Sequence, residues 1–161
     1  MQVKKIKFKD TGYFSSLILD YLEQEGKLQP FYEFPPTIEG IGEAIQNKNF
    51  PAGRREVLVN SLKQQYAGSK LSAKNAGETF KNMELLGNEN TFTITTGHQL
   101  CLFTGPLYFI YKIVSVINLC KKLKKAFPEK NFVPVYWMAT EDHDFEEIDH
   151  FHFRGETLKW R

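Results

Sequence analysis

The strongest constraint on the fold lies in residues 91–138, where a β-branched run, a helical apolar repeat and a second apolar run follow one another. Thr91-Phe92-Thr93-Ile94-Thr95-Thr96 is bounded by Asn90 and Gly97 and predicts a short strand. Leu107, Ile110, Ile113, Val114, Ile117, Cys120 and Leu123 then recur at helical spacing. Lys121, Lys122, Lys124 and Lys125 load the carboxyl end of that helix, as the macrodipole favours, and Pro128 ends it. Thr104 is the expected N-cap, with Pro106 tolerated in the first turn. Phe132-Val133-Pro134-Val135-Tyr136-Trp137-Met138 reads as a strand buried on both faces, although Pro134 removes one ladder bond. A right-handed crossover makes the two strands parallel and brings the loops after Thr96 and Met138 to one carboxyl edge, where open α/β sheets bind ligands.

A chain of 161 residues has room for about one domain, and 42% hydrophobic with 25% charged residues is a globular composition. The net charge of +2 does not argue for nucleic acid or anionic lipid as a partner. Two cysteines, Cys101 and Cys120, form no staple pattern, no basic leader with an apolar core opens the chain, and Lys112 interrupts its most hydrophobic stretch. No membrane association and a cytoplasmic location are the expectation. Residues 1–90 read as a mainly helical segment packing on a core formed by residues 91–161. Val57, Leu58, Leu62 and Tyr66 mark one of its helices, and Ser72 followed by Phe80, Met83 and Leu85-Leu86 marks another, stopped by Gly87. Arg54, Arg55 and Lys63 are weak phosphate candidates beside the simpler reading of a solvated helical face.

Two loops could carry chemistry. The first combines Thr95, Thr96, Gly97, Thr104 and Gly105 with a helix N-terminus, a setting that suits phosphate or carboxylate, and His98 and Gln99 add side chains that donate and accept. It matches neither a Walker loop nor Gly-x-Gly-x-x-Gly. Lys112 follows Tyr108 by four residues, so both share a helical face near that site. The second loop holds Glu141, Asp142, Asp144, Glu146, Glu147 and Asp149 around His143, a crowding that calls for Mg²⁺, an ammonium group or acid-base work to offset it. Zinc held by His143, His150, His152 and Cys101, or by His98 with Cys101, is the weaker alternative, because the spacing is poor; His150 and His152 should share one face of a strand with Phe151 on the other.

Thr96-Gly97-His98-Gln99, Phe103-Thr104-Gly105-Pro106-Leu107-Tyr108 with Tyr111-Lys112, and Trp137-Met138-Ala139-Thr140-Glu141-Asp142-His143-Asp144-Phe145-Glu146-Glu147 closely resemble the cysteine-adding enzymes of bacillithiol biosynthesis. Phe50-Pro51-Ala52-Gly53-Arg54-Arg55 extends the match, which covers nearly all of this chain but only about the amino-terminal third of the family's usual length. The resemblance implies an α/β fold, the start of a Rossmann-like parallel-sheet domain preceded by a helical segment. Its remaining strands and a carboxy-terminal coiled coil, through which a homo-oligomer could form, would lie beyond Arg161. It further implies a ligase that joins L-cysteine to glucosaminyl-malate in an amide, with carboxylate activation by ATP and Mg²⁺ by analogy with related synthetases. Those relatives carry His-x-Gly-His where this chain has Gly105-Pro106-Leu107-Tyr108.

By the same resemblance Thr96, Gly97, His98, Gln99, Thr104, Gly105 and Tyr108 would bind substrate or anion. Lys112 would offset developing negative charge, and Asp142, His143, Asp144 and Glu147 would bind the amine or move a proton. Asp142 and Asp144 are where Mg²⁺ could sit, with no metal site otherwise indicated. An inactive truncated segment of the same enzyme is the first alternative, since two strands, or three with residues 151–160, make a small sheet. A metal-dependent nucleotidyl-transfer or hydrolase module using the acidic loop is the second.

Overall fold

The computed structural model describes residues 4–71, 73–142 and 144–160, with the side chains of 73–75 left aside. Ser72 and His143 therefore lie outside the described residues. The chain divides into two compact units, residues 1–49 and 50–161. In the first, α1 (Ser16–Leu22) starts at Ser15, whose side chain accepts from the Ile18 amide, and α2 (Ile38–Asn47) starts at Thr37, whose hydroxyl accepts from the Gly40 amide at 3.0 Å. Each cap satisfies an amide that the first helical turn cannot.

The second unit opens with α3 (Ala52–Ala67) and α4 (Ala73–Leu85), the latter kinked at Ala76. Then come β1 (Thr91–Gln99), α5 (Leu107–Ala126) and β2 (Asn131–Ala139). β1 and β2 are parallel and in register from Thr91↔Asn131 to Gln99↔Ala139, so the expected strand, helix and strand form the expected crossover. Alternation along each strand sorts the side chains into two layers. Val133 and Val135 meet Val59, Leu62, Leu85 and Leu86 of the α3 and α4 layer. Phe132 and Tyr136 face the other way, with ring contacts to Phe127 at 6.4 Å and Phe109 at 5.4 Å.

Three expectations change. β1 does not end at Thr96, because its pairing with β2 continues through Gly97, His98 and Gln99, which makes these residues strand rather than loop. β2 is buried on both faces only at its amino end: Val133 is 3% exposed, but Trp137 is 58% exposed, since the α3 and α4 layer reaches no further than Val135, and Met138 on the opposite face is 55% exposed. Residues 151–160 do not extend the parallel sheet. They form most of an antiparallel hairpin of β3 (His150–Phe153) and β4 (Glu156–Lys159) that turns at Gly155, with φ of 85°. A short α6 (Phe145–Ile148) precedes it.

Arg55 is a correction as well. It is buried, not on a solvated face, and its guanidinium donates to the carbonyls of Leu86 and Thr91, both at 3.1 Å, and of Glu89 at 3.3 Å. It thereby ties α3 to the turn that feeds β1, buried away from any phosphate in solvent. Lys63 pairs with Glu84 at 2.7 Å. Replacing Arg55 by Met leaves those carbonyls without their donor. The expected cost is about 2–4 kcal/mol in denaturant unfolding of the chain, and Lys does not restore it because an ammonium lacks the planar fork.

The hairpin is anchored by Asp149. Its buried carboxylate accepts from Lys159 Nζ and from His150 Nδ1, both at 2.7 Å, and its carbonyl accepts from the Trp160 amide. The Lys159 hydrogen bond, followed by that of His150, holds the Asp149 carboxyl below its ordinary range. A depressed carboxyl contributes stability that is full above the unfolded-state value, about 3.9, and is lost as pH falls through the lower folded value. Hairpin amide protection, followed by hydrogen exchange, is therefore expected to fall only in acid below that range, and Asp149→Asn to remove this step.

Candidate functional site

The carboxyl end of β1 places His98 on the sheet face that α5 covers. Its ring lies 5.3 Å from that of Tyr108 and 5.7 Å from that of Phe109, on the first turn of α5. Nδ1 lies 2.9 Å from the Gln99 carbonyl oxygen and Nε2 lies 2.8 Å from the Tyr108 hydroxyl. The Tyr136 hydroxyl donates to the His98 carbonyl at 3.3 Å. Burial raises the Tyr136 phenol above its ordinary value, and the charge of the neighbouring Cys101 sulfur, when ionised, adds to the shift.

Gly97 is required by contact. A Cβ there would stand 2.9 Å from the Trp137 carbonyl oxygen, so a side chain would pry β1 from β2 next to His98. Lys112 lies on the expected face, its ammonium 5.7 Å from the centre of the Tyr108 ring, and donates to the Gly97 carbonyl at 2.6 Å. That bond ties α5 to the strand beside the site.

Thr104 is not the N-cap. Phe103, Thr104 and Gly105 all have positive φ, of 48°, 72° and 60°, and Pro106 stands in extended backbone directly before α5. The turn curls around Cys101, whose Cβ and Sγ would both lie 2.8 Å from a Cβ on residue 105. Glycine alone fits there, and Thr104 is carried outward, exposed. Thr96 and Gln99 are half-buried on β1, opposite Tyr136 and Ala139.

The acidic loop separates into different tasks. Glu141 accepts from the Trp137 indole at 3.4 Å. Asp144 caps α6 by accepting from the Glu146 amide at 3.0 Å, and Asp149 anchors the hairpin. Asp142 and Glu146 are exposed. Glu147 turns to a cleft of about 490 Å³ that it shares with His98, Cys101, Gly105 and Tyr108 on one side and His150 and His152 on the other. The two histidines do share one strand face, their rings 5.6 Å apart. The His-x-His alternation was the sequence signal for them, read there as a metal pattern.

Among the described residues no three of His, Cys, Asp and Glu converge where they could hold an ion. The zinc set that includes His143 reaches outside the described residues, and the Asp144 side chain accepts from the Glu146 amide at its own helix cap. Among the same residues no helix is long and apolar enough to cross a membrane.

Known proteins have sequences similar to this one. It is 56% identical over 158 residues to the "Putative cysteine ligase BshC" of Flavobacterium psychrophilum, covering 96% of this chain and 29% of that protein. The protein of the same name from Flavobacterium johnsoniae is 55% identical over 157 residues, with the same coverage of both chains. That of Bacillus cereus is 35% identical over 150 residues, covering 93% of this chain and 26% of the relative. The chain thus spans less than a third of the length of these relatives. A family model described as the amino-terminal Rossmann-like domain of the bacillithiol biosynthesis protein BshC matches residues 1–161, and the chain belongs to that family.

Proposed function

We propose that the protein carrying this chain is a cytoplasmic cysteine ligase, which joins the carboxyl of L-cysteine to the amine of glucosaminyl-malate in the last step of bacillithiol biosynthesis. The cleft at the carboxyl edge of β1 is the observation that carries this reading. It gathers His98, Tyr108 and Glu147 from three separate segments into one concave site with both proton donors and acceptors. Amide formation asks a site for three things: a place for the amine, a group to take its proton, and charge complementarity for the acyl donor.

The chain's own residues meet these needs in part. The Glu147 carboxylate borders the cleft and is suited to hold an ammonium group. The backbone amides at the start of α5 favour the negative carboxylates of either substrate. The exposed Asp142 lies just beyond β2 at the same edge and would guide the amine. ATP with Mg²⁺, by analogy, would supply carboxylate activation. This chain's part is read as binding and proton transfer, with Asp142 and Asp144 the residues that would hold Mg²⁺.

A second reading is an inactive segment, and a specific observation favours it. Leu107, Tyr111, Val114, Trp137 and Met138 are all between 46% and 67% exposed on elements that are apolar enough to be covered. Product formation from L-cysteine, glucosaminyl-malate and ATP, followed by mass spectrometry, separates the readings. The ligase reading expects bacillithiol from the protein as its cells make it, and a loss of about 10²-fold or more with Glu147→Gln. No bacillithiol from the intact protein, or nucleotide hydrolysis indifferent to cysteine, would contradict it.

A further inference from the structure

Resting on the amide-forming reading, we propose that His98 and Tyr108 form a two-residue relay that takes the proton from a primary ammonium group entering the cleft. A carbonyl oxygen only accepts, so the contact of Nδ1 with the Gln99 carbonyl at 2.9 Å places a proton on Nδ1. In the neutral ring Nε2 is then the acceptor, and the Tyr108 hydroxyl, 2.8 Å away, donates to it. The Tyr108 oxygen keeps a lone pair for a third group. Tyr108 is 54% exposed at the cleft wall, so an incoming amine can reach it.

The surroundings fit that task. A tilted ring contact with Tyr108 and an edge-to-face contact with Phe109, together with bonds at both nitrogens, hold the imidazole in one orientation. The Lys112 ammonium, 5.7 Å from the phenol ring and pinned to the Gly97 carbonyl, favours negative charge on the Tyr108 oxygen as its proton leaves. Other titratable groups face the pair from each neighbouring segment: Tyr136 from β2, Cys101 from the turn, Glu147 from α6, and His150 and His152 from β3.

The proton balance closes within these groups. An N–H bond of the ammonium breaks as an O–H bond to Tyr108 forms, while the original Tyr108 O–H breaks and Nε2–H forms on His98. The amine is left neutral, with its lone pair free to attack an activated carboxylate, and the imidazolium keeps its Nδ1 proton on the Gln99 carbonyl. Tyr108 touches the substrate; His98 acts through it.

The test uses the intact protein in two measurements. Nitrogen-15 spectra of labelled histidine should show His98 with Nδ1 protonated and Nε2 bare in its neutral form, and glucosamine, as the amine probe, should move the Nε2 resonance in the wild type and not in Tyr108→Phe. The opposite tautomer, or a glucosamine response unchanged in Tyr108→Phe, overturns the relay even if the protein proves to be no ligase. In the ligation assay, His98→Asn and Tyr108→Phe should each lower kcat about 10²-fold with the amine KM nearly unchanged, and the acidic limb of the kcat profile should vanish in His98→Asn. A loss that falls on KM, or an acidic limb retained in His98→Asn, shows a merely structural pair and overturns the proposal. Absence of amide product from the wild type overturns the ligase reading instead, leaving the spectra to judge the relay.

Discussion

The register of β1 on β2 is the constraint on which the rest of the second unit depends. Pairing from Thr91↔Asn131 to Gln99↔Ala139 fixes which side chains face α5 and which face α3 and α4. A slip by one residue would send every side chain of a strand to the opposite face. His98 would then leave the aromatic pocket of Tyr108 and Phe109, and Val133 would leave the cluster with Val59 and Leu86. Two features mark the ends of this pairing. Arg55 gathers the carbonyls around the entry to β1, and the missing side chain at Gly97 lets the strands close beside the site.

The crossover was legible in the sequence because its signals are local and periodic. The threonines and Ile94 of β1, the apolar repeat of α5 and the run from Phe132 to Met138 each declare their element without reference to partners. The end of β1 was not legible. Gly97 reads as a stop by composition, yet it serves the close approach of two backbones, a fact that only the position of Trp137 reveals. Arg55 was hidden for a similar reason, since nothing within α3 says that carbonyls more than thirty residues away will face it.

Around the cleft, which residues come together was more readable than what each of them bonds. His98, Gly105, Tyr108 and Glu147 were singled out by their neighbourhood in the sequence, and the structure brings them to one cleft. The six carboxylates looked like one cluster, but local hydrogen bonding divides them: Asp144 turns to a helix cap and Asp149 to a hairpin anchor. Such division follows from backbone donors and from Lys159, which stands ten residues beyond Asp149 in sequence and beside it in space.

In the proposed relay the amine substrate arrives at the Tyr108 hydroxyl. A crystal structure of the intact protein with glucosaminyl-malate tests this most directly. The sugar nitrogen is expected within hydrogen-bond distance of the Tyr108 oxygen, with His98 still bonded to it from behind. A sugar nitrogen seated elsewhere, with the cleft between Tyr108 and Glu147 empty of ligand, would contradict the account.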